Sequence, residues 1–244
     1  MTTHQSSLRQ TQANTFAEAF LQYNARLVAP THLPHAFQAL HPFASPEIAR
    51  LVNTFYHKYY ADHDVRVALL GINPGRFGGG ITGIPFTDPI RLKEKCGIDH
   101  HLPMKPELSS QFIYEMIEQY GGVQKFYHHF FIHSLYPLAL VKDGKNVNYY
   151  DDKALFDAVY ADIISHIQAL LQLPVCRRVV ICIGEGKNFA LLQKLNHTYH
   201  WWQTIIPVAH PRFIMQYRRK QKESYLHQYL QVLHQAKQVC FSKS

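Results

Sequence analysis

Apolar positions along this chain alternate between two spacings. Near Thr15 to Val28, and again from Ser45 to Tyr60, they recur at helical intervals, and Ser45-Pro46-Glu47 supplies a cap, a first-turn proline and an acidic first turn. A nearly continuous apolar run, Val65-Arg66-Val67-Ala68-Leu69-Leu70, then predicts a first strand. Helical spacing returns at Phe112, Ile113, Met116, Ile117 and Tyr120, before a second strand near Phe130 to His133. A long helix capped at Asp151 places Leu155, Val159, Ile163 and Ile167 on one face. The third strand is Val179 to Ile183, and a short helix follows around Phe189 to Leu195. The fourth strand is Thr204 to Val208, with Pro207 marking its end, and a last helix carries Leu226, Leu230 and Leu233.

Strands that are apolar throughout and alternate with helices are strands buried on both faces. The pattern predicts an α/β fold, a three-layer α/β/α sandwich around a central, mostly parallel four-stranded sheet. Composition does not shift, and there is no Gly/Ser linker and no internal repeat, so one domain over residues 1–244 is expected, with N-terminal helices (about 1–62) packed on it. In open parallel sheets ligands bind beyond the carboxyl ends of the strands. Here those ends are Gly71-Ile72-Asn73-Pro74-Gly75, Ser134, Gly184-Glu185-Gly186 and His210-Pro211-Arg212, four segments expected to converge on one rim.

With 47% hydrophobic and 17% charged residues, and 15 Phe, 15 Tyr and 2 Trp, the 244-residue chain is neither disordered nor low-complexity. Lys and Arg number 25 against 17 for Asp and Glu, a formal charge of +8 that suits a polyanionic partner without naming one. Cys96, Cys176, Cys182 and Cys240 lie far apart with no CxxC pair, which argues against a zinc or iron–sulfur cluster. The pairs His100-His101 and His128-His129 lack the i, i+4 spacing of zinc hydrolases and read as surface residues, so no metal and no cofactor are expected. Met1 to Gln22 holds no apolar signal core, and the longest nearly apolar run, Phe130 to Val141, is too short to span a bilayer. An intracellular monomer without membrane contact is expected, cytoplasmic in a bacterium.

The first rim segment continues to Phe86 as Gly71-Ile72-Asn73-Pro74-Gly75-Arg76-Phe77-Gly78-Gly79-Gly80-Ile81-Thr82-Gly83-Ile84-Pro85-Phe86. It is neither a P-loop nor a dinucleotide-binding turn, because it has no Gly-Lys-Ser/Thr ending and no Gly-x-Gly-x-x-Gly opening. The segment resembles the first motif of the uracil-DNA glycosylase superfamily, and within it the single-strand-selective monofunctional uracil-DNA glycosylases: Gly-x-Asn-Pro-Gly-x-Phe-Gly at Gly71 to Gly78, then Thr82-Gly83-Ile84-Pro85-Phe86. His210-Pro211-Arg212 is similar to the opening of that family's second motif. The likeness covers roughly Val65 to Lys222. Two positions depart from it: Ser134 stands where vertebrate members have an Asn that reads the uracil edge, and Arg212 follows His210-Pro211 where Ser-Pro-Arg-Asn is usual.

The resemblance implies a uracil-DNA glycosylase-like fold and hydrolysis of the N-glycosidic bond of uracil, and of 5-hydroxymethyluracil, in single- or double-stranded DNA. It implies Asn73 holding the attacking water, since an amide takes up no proton near neutral pH, and His210 stabilising charge on the departing base. Gly71, Ile72, Gly75, Phe77, Phe86 and Ser134 would hold the base, with Phe86 as stacking platform and Gly75 leaving room for a 5-substituent. Arg212, Phe213, Ile214, Met215, Tyr217, Arg218, Arg219 and Lys187 would contact DNA, combining phosphate binding with an apolar wedge. Two other readings stay open: a mismatch-specific uracil/thymine glycosylase, and a non-catalytic nucleic-acid-binding module of the same fold.

Overall fold

The computed structural model describes residues 14–242. Most of Met1 to Gln22, and both ends of the expected 1–244 domain, lie outside them.

In chain order the elements are α1 (Phe16–Asn24), β1 (Phe37–Leu40), α2 (Pro46–Tyr60), β2 (Arg66–Gly71), α3 (Gly79–Thr82), α4 (Pro89–Glu94), α5 (Leu108–Tyr120) and α6 (Val123–His129). Then come β3 (Phe130–Ser134), β4 (Ala139–Lys142), β5 (Lys145–Val147), α7 (Lys153–Leu170), β6 (Val175–Ile183), α8 (Lys187–Tyr199), β7 (Thr204–Val208), α9 (Pro211–Tyr217) and α10 (Lys222–Phe241). The central sheet has the order β3-β2-β6-β7 with every pair parallel. All four strands therefore end on the same rim.

Helices cover both faces, as alternation along β3 makes visible. Phe131 and His133 point one way, packing on Phe16 and Phe20 of α1 and on His166 of α7. Phe130 points the other way, onto Tyr120 of α5, and Phe112 of α5 meets Tyr229 of α10. The start of α1 is fixed locally: the Glu18 N–H donates to Thr15 Oγ1 at 3.2 Å, and the Thr15 N–H donates to Glu18 Oε2 at 2.8 Å.

Three details differ from the sequence reading. Asp152, not Asp151, caps α7, accepting the Leu155 N–H at 3.0 Å, because the Asp151 carboxylate is taken by the Asn148 N–H. His100 is buried, its Nε2 at 2.7 Å from the Pro89 carbonyl, so only His101 of that pair is on the surface. A second, antiparallel sheet of order β1-β4-β5 lies beside the rim, its hairpin closed by Asp143 and Gly144 with φ of 49° and 68°. All four cysteines are free and buried. No helix among the described residues is long and apolar enough to cross a membrane.

Candidate active site

Beyond the end of β2 the chain opens a pocket of about 440 Å³ whose lining includes Asn73, Gly75, Phe77, Phe86, Glu107 and His210. Asn73 is held there by the second sheet. Its Oδ1 accepts the Tyr149 N–H at 3.1 Å and its Nδ2 donates to the Val147 carbonyl at 3.1 Å. These two bonds run in opposite senses, so the amide cannot turn over without losing both. One lone pair of Oδ1 stays available to a water. The segment that grips Asn73 is itself tied down, since the Tyr149 hydroxyl donates to Asn188 Oδ1 at 2.7 Å and Asn188 donates to the Ile183 carbonyl at the end of β6.

Phe86 has φ of 54°, a left-handed conformation unusual for an aromatic residue. The turn before it is held by Thr82, whose buried hydroxyl donates to the Thr87 carbonyl at 2.6 Å. That turn lays the Phe86 ring on Gly71: a Cβ built there would stand 2.7 Å from the ring, and 3.5 Å from Ser134 Oγ. Gly71 is thus required by contact. Phe86, Gly71 and Ser134 come together at one spot, with the His210 ring centroid 6.0 Å from that of Phe86.

His210 caps α9. Its Nδ1 accepts the Arg212 N–H at 3.1 Å, which leaves the ring proton on Nε2. Burial, reinforced by the Arg212 charge, pushes its pKa down to about 4, so at neutral pH the ring is an uncharged donor.

Glu107 also lines the pocket, and sequence reasoning passed over it. The residue is the N-cap of α5, where its backbone N–H donates to Asp88 Oδ2 at 2.8 Å, and its side chain reaches the glycine loop. A Cβ on Gly75 would stand 1.8 Å from Glu107 Oε1, and one on Gly78 2.1 Å from Oε2. The missing side chain at Gly75 thus makes room for the Glu107 carboxyl at the pocket wall. Burial, and then the neighbouring Asp88, push the Glu107 pKa up to about 7.

A glycine loop, a fixed amide and a neutral histidine at the ends of parallel strands form the arrangement against which family relationships can be judged. The model of the uracil DNA glycosylase superfamily matches residues 57–234. The chain belongs to that superfamily. It is similar to the crystal structure of wild-type SMUG2 from Pedobacter heparinus, with 43% identity and a TM-score of 0.87 over 91% of this chain and 97% of that one. No curated protein matches the chain. As a member it is a monofunctional uracil-DNA glycosylase, a hydrolase of N-glycosyl bonds that acts on DNA in repair.

A glycosylase must also hold DNA around the extruded base, and a second groove, of about 250 Å³, runs beside the first and shares His210 with it. Ile72, Lys187 and Phe213 line it. Here the helix period of α9 overrules part of the expectation. Arg212, Phe213, Gln216 and Tyr217 face outward, whereas Ile214 and Met215 are buried in the core and cannot touch DNA. Arg218 lies over the Phe213 ring at 5.5 Å, and Arg76 lies over Phe77 at 4.1 Å on the other side of the opening. Arg219 is exposed at the end of α9.

Proposed function

We propose that this glycosylase releases uracil and 5-hydroxymethyluracil from DNA by positioning rather than by general-base catalysis, with Asn73 and His210 as its catalytic residues. Asn73 Oδ1 holds a water below the sugar C1′. As the C1′–N1 bond breaks, its electron pair leaves with the base, and the His210 Nε2–H donates to O2, where that charge collects. The water oxygen then bonds to C1′ and its proton passes to solvent, leaving an abasic sugar. Phe86 stacks on the base, Gly71 and Ile72 place backbone at its edge, Ser134 meets the N3–O4 edge, and Phe77 stands at the mouth.

The observation that carries this reading is the His210 tautomer. A cationic imidazole would bind the ground state of any nearby anion, including phosphate, whereas a neutral Nε2–H donor in a largely buried site gains strength only as the base acquires charge. Arg212, Arg218, Arg219 and Lys187 hold phosphates, and Phe213 and Tyr217, 40% and 69% exposed, supply the wedge. The enzyme works as a monomer in this reading.

The test is base release from labelled oligonucleotides carrying uracil or 5-hydroxymethyluracil, single-stranded or opposite guanine, with alkali to reveal the abasic product. His210→Ala is expected to lose roughly 2–4 kcal/mol of transition-state stabilisation in single-turnover kcat. A loss confined to substrate affinity would remove the oxyanion role. Preference for guanine-paired uracil over single strands would favour the mismatch-specific reading instead.

A further inference from the structure

The peptide between Ser134 and Leu135, where β3 ends close to Gly71 and the Phe86 ring, is gripped from both sides. On one side the Leu135 N–H donates to the Gly71 carbonyl at 2.9 Å, and the next N–H, of Tyr136, donates to the Ile72 carbonyl at 3.1 Å. On the other, the Ser134 carbonyl accepts from His166 Nε2 of α7 at 3.0 Å. A nitrogen that donates carries the ring proton, so His166 Nδ1 is an acceptor, and the Tyr23 hydroxyl of α1 donates to it. His133 Nδ1, 3.2 Å from His166 Nε2, shares the same proton. His133 and His166 are both buried, and desolvation keeps both neutral at physiological pH.

A buried pair of imidazoles with a half-buried phenol set on it is a costly way to fill space that Leu or Phe would fill without polar atoms. It brings three side chains from α1, β3 and α7 to bear on one carbonyl beside the site. With β3 paired to β2 as far as Ser134, holding the following peptide plane as well fixes the direction of the Ser134 Cα–Cβ bond, so the hydroxyl oxygen is limited to its staggered positions about a fixed axis. Tyr23 lies outside residues 57–234, the span matched by the superfamily model.

We propose that Tyr23 and His166 are positioning residues that set the orientation of Ser134, making the first helix part of how this enzyme tells uracil from cytosine. This rests on Ser134 reading the base edge.

The test measures binding of oligonucleotides containing 2′-fluorodeoxyuridine or 2′-fluorodeoxycytidine, in which the fluorine suppresses cleavage, to wild type and to Tyr23→Phe, His166→Leu, His166→Gln and Ser134→Ala. Tyr23→Phe and His166→Leu are expected to lower the uracil-to-cytosine affinity ratio roughly five- to tenfold, the worth of one neutral hydrogen bond. His166→Gln, whose amide can still donate to the Ser134 carbonyl, should recover most of it. In a Ser134→Ala background His166→Leu should lower the ratio no further. Equal losses for both bases would mean mere structural support and overturn the proposal, as would additive effects in the double variant. Should His166→Leu fail to fold, Tyr23→Phe, which removes one oxygen, carries the same decision. Ser134→Ala with an unchanged ratio would overturn the reading of Ser134 itself, whereas an altered ratio there with inert Tyr23 and His166 variants would overturn the relay alone.

Discussion

An ionisable group stands near each end of strand β2, Arg66 buried and Glu107 half-buried, and the two are treated in opposite ways. At its start Arg66 is fully enclosed: Nη2 reaches Asp62 Oδ2 at 2.8 Å, Nη1 the Asp64 carbonyl at 2.8 Å, Nε the Tyr127 carbonyl at 3.2 Å, and the rings of Phe16 and Tyr60 sit 5.3 and 5.1 Å from the guanidinium carbon. The Asp62 carboxyl answers, held below its ordinary range chiefly by its hydrogen bond from Arg66. Beyond the other end, Glu107 has no ion-pair partner among the described residues, and its nearest charged neighbour of like sign, Asp88, raises its pKa further. A charge whose donors are all used is scaffold. A carboxyl set against a glycine loop, with Asp88 beside it and only the Arg212 charge acting the other way, gives the pocket a wall whose charge varies with pH.

If that contrast is right, truncating each end should damage different properties. Arg66→Ala leaves Asp62 and the carbonyls of Tyr59, Asp64 and Tyr127 short of their donor, and unfolding by denaturant should show a loss of about 3–5 kcal/mol, with base release per folded molecule unchanged. A loss under about 1 kcal/mol would break the comparison. Asn73→Ala, at the rim, should reverse the pattern: single-turnover base release falls by on the order of a hundredfold, about 2.7 kcal/mol, while abasic DNA still binds. Near-normal rates would remove Asn73 from the mechanism.

Glu107→Gln sharpens the contrast through pH. The folded-state pKa of Glu107 is raised to about 7 from an ordinary 4.5, so as pH rises the unfolded chain loses this proton first. The wild type is therefore penalised progressively between about pH 4.5 and 7, and fully above pH 7. Glutamine does not titrate. The variant should match wild-type stability near pH 4 and exceed it by about 2 kcal/mol at pH 8, less than the whole shift would give because Glu107 is only half-buried, read from denaturant midpoints at each pH. Equal stability at both pH values would mean that Glu107 is solvated rather than held against the loop.

Much of this molecule can be read from its sequence because the informative features are local. β2, β3 and most of β6 are buried along their length and so appear as apolar runs, and Gly71 to Phe86 is one uninterrupted segment. What escapes is long-range. Nothing near Phe37 announces that β1 pairs with β4 a hundred residues on, although Lys142-Asp143-Gly144-Lys145 carries a hairpin turn that strands of four and three residues are too short to make visible. No spacing rule places Glu107 over Gly75, and a glycine that accommodates a neighbour looks the same in sequence as one that accommodates a ligand. Ile214 and Met215 are different. The helical period of Pro211, Ile214 and Met215 separates a buried face from the basic one, and the density of charge from Arg212 to Lys222 hides it.

The smallest effect expected at the rim belongs to Ser134. An Asn at this position would offer a donor to O4 and an acceptor to N3–H at once, a pairing that cytosine, with the reverse pattern, cannot meet. Serine offers one hydroxyl that serves as donor or acceptor according to how it turns. It leaves fewer groups unpaired when the wrong base enters, so backbone and water must supply more of the discrimination. Ser134 Oγ stands 3.5 Å from the Cβ position of Gly71, which also abuts the Phe86 ring, and in the proposed function it meets the edge of the base and not the scissile bond. Ser134→Ala should accordingly cost the uracil reaction roughly 1–2 kcal/mol, one neutral hydrogen bond, and less than Asn73→Ala does. Matched uracil and cytosine oligonucleotides decide it in single-turnover kinetics. A Ser134→Ala loss as large as that of Asn73→Ala would give the hydroxyl a direct part in bond cleavage, and the division between an edge-reading β3 and a water-holding β2 would no longer stand.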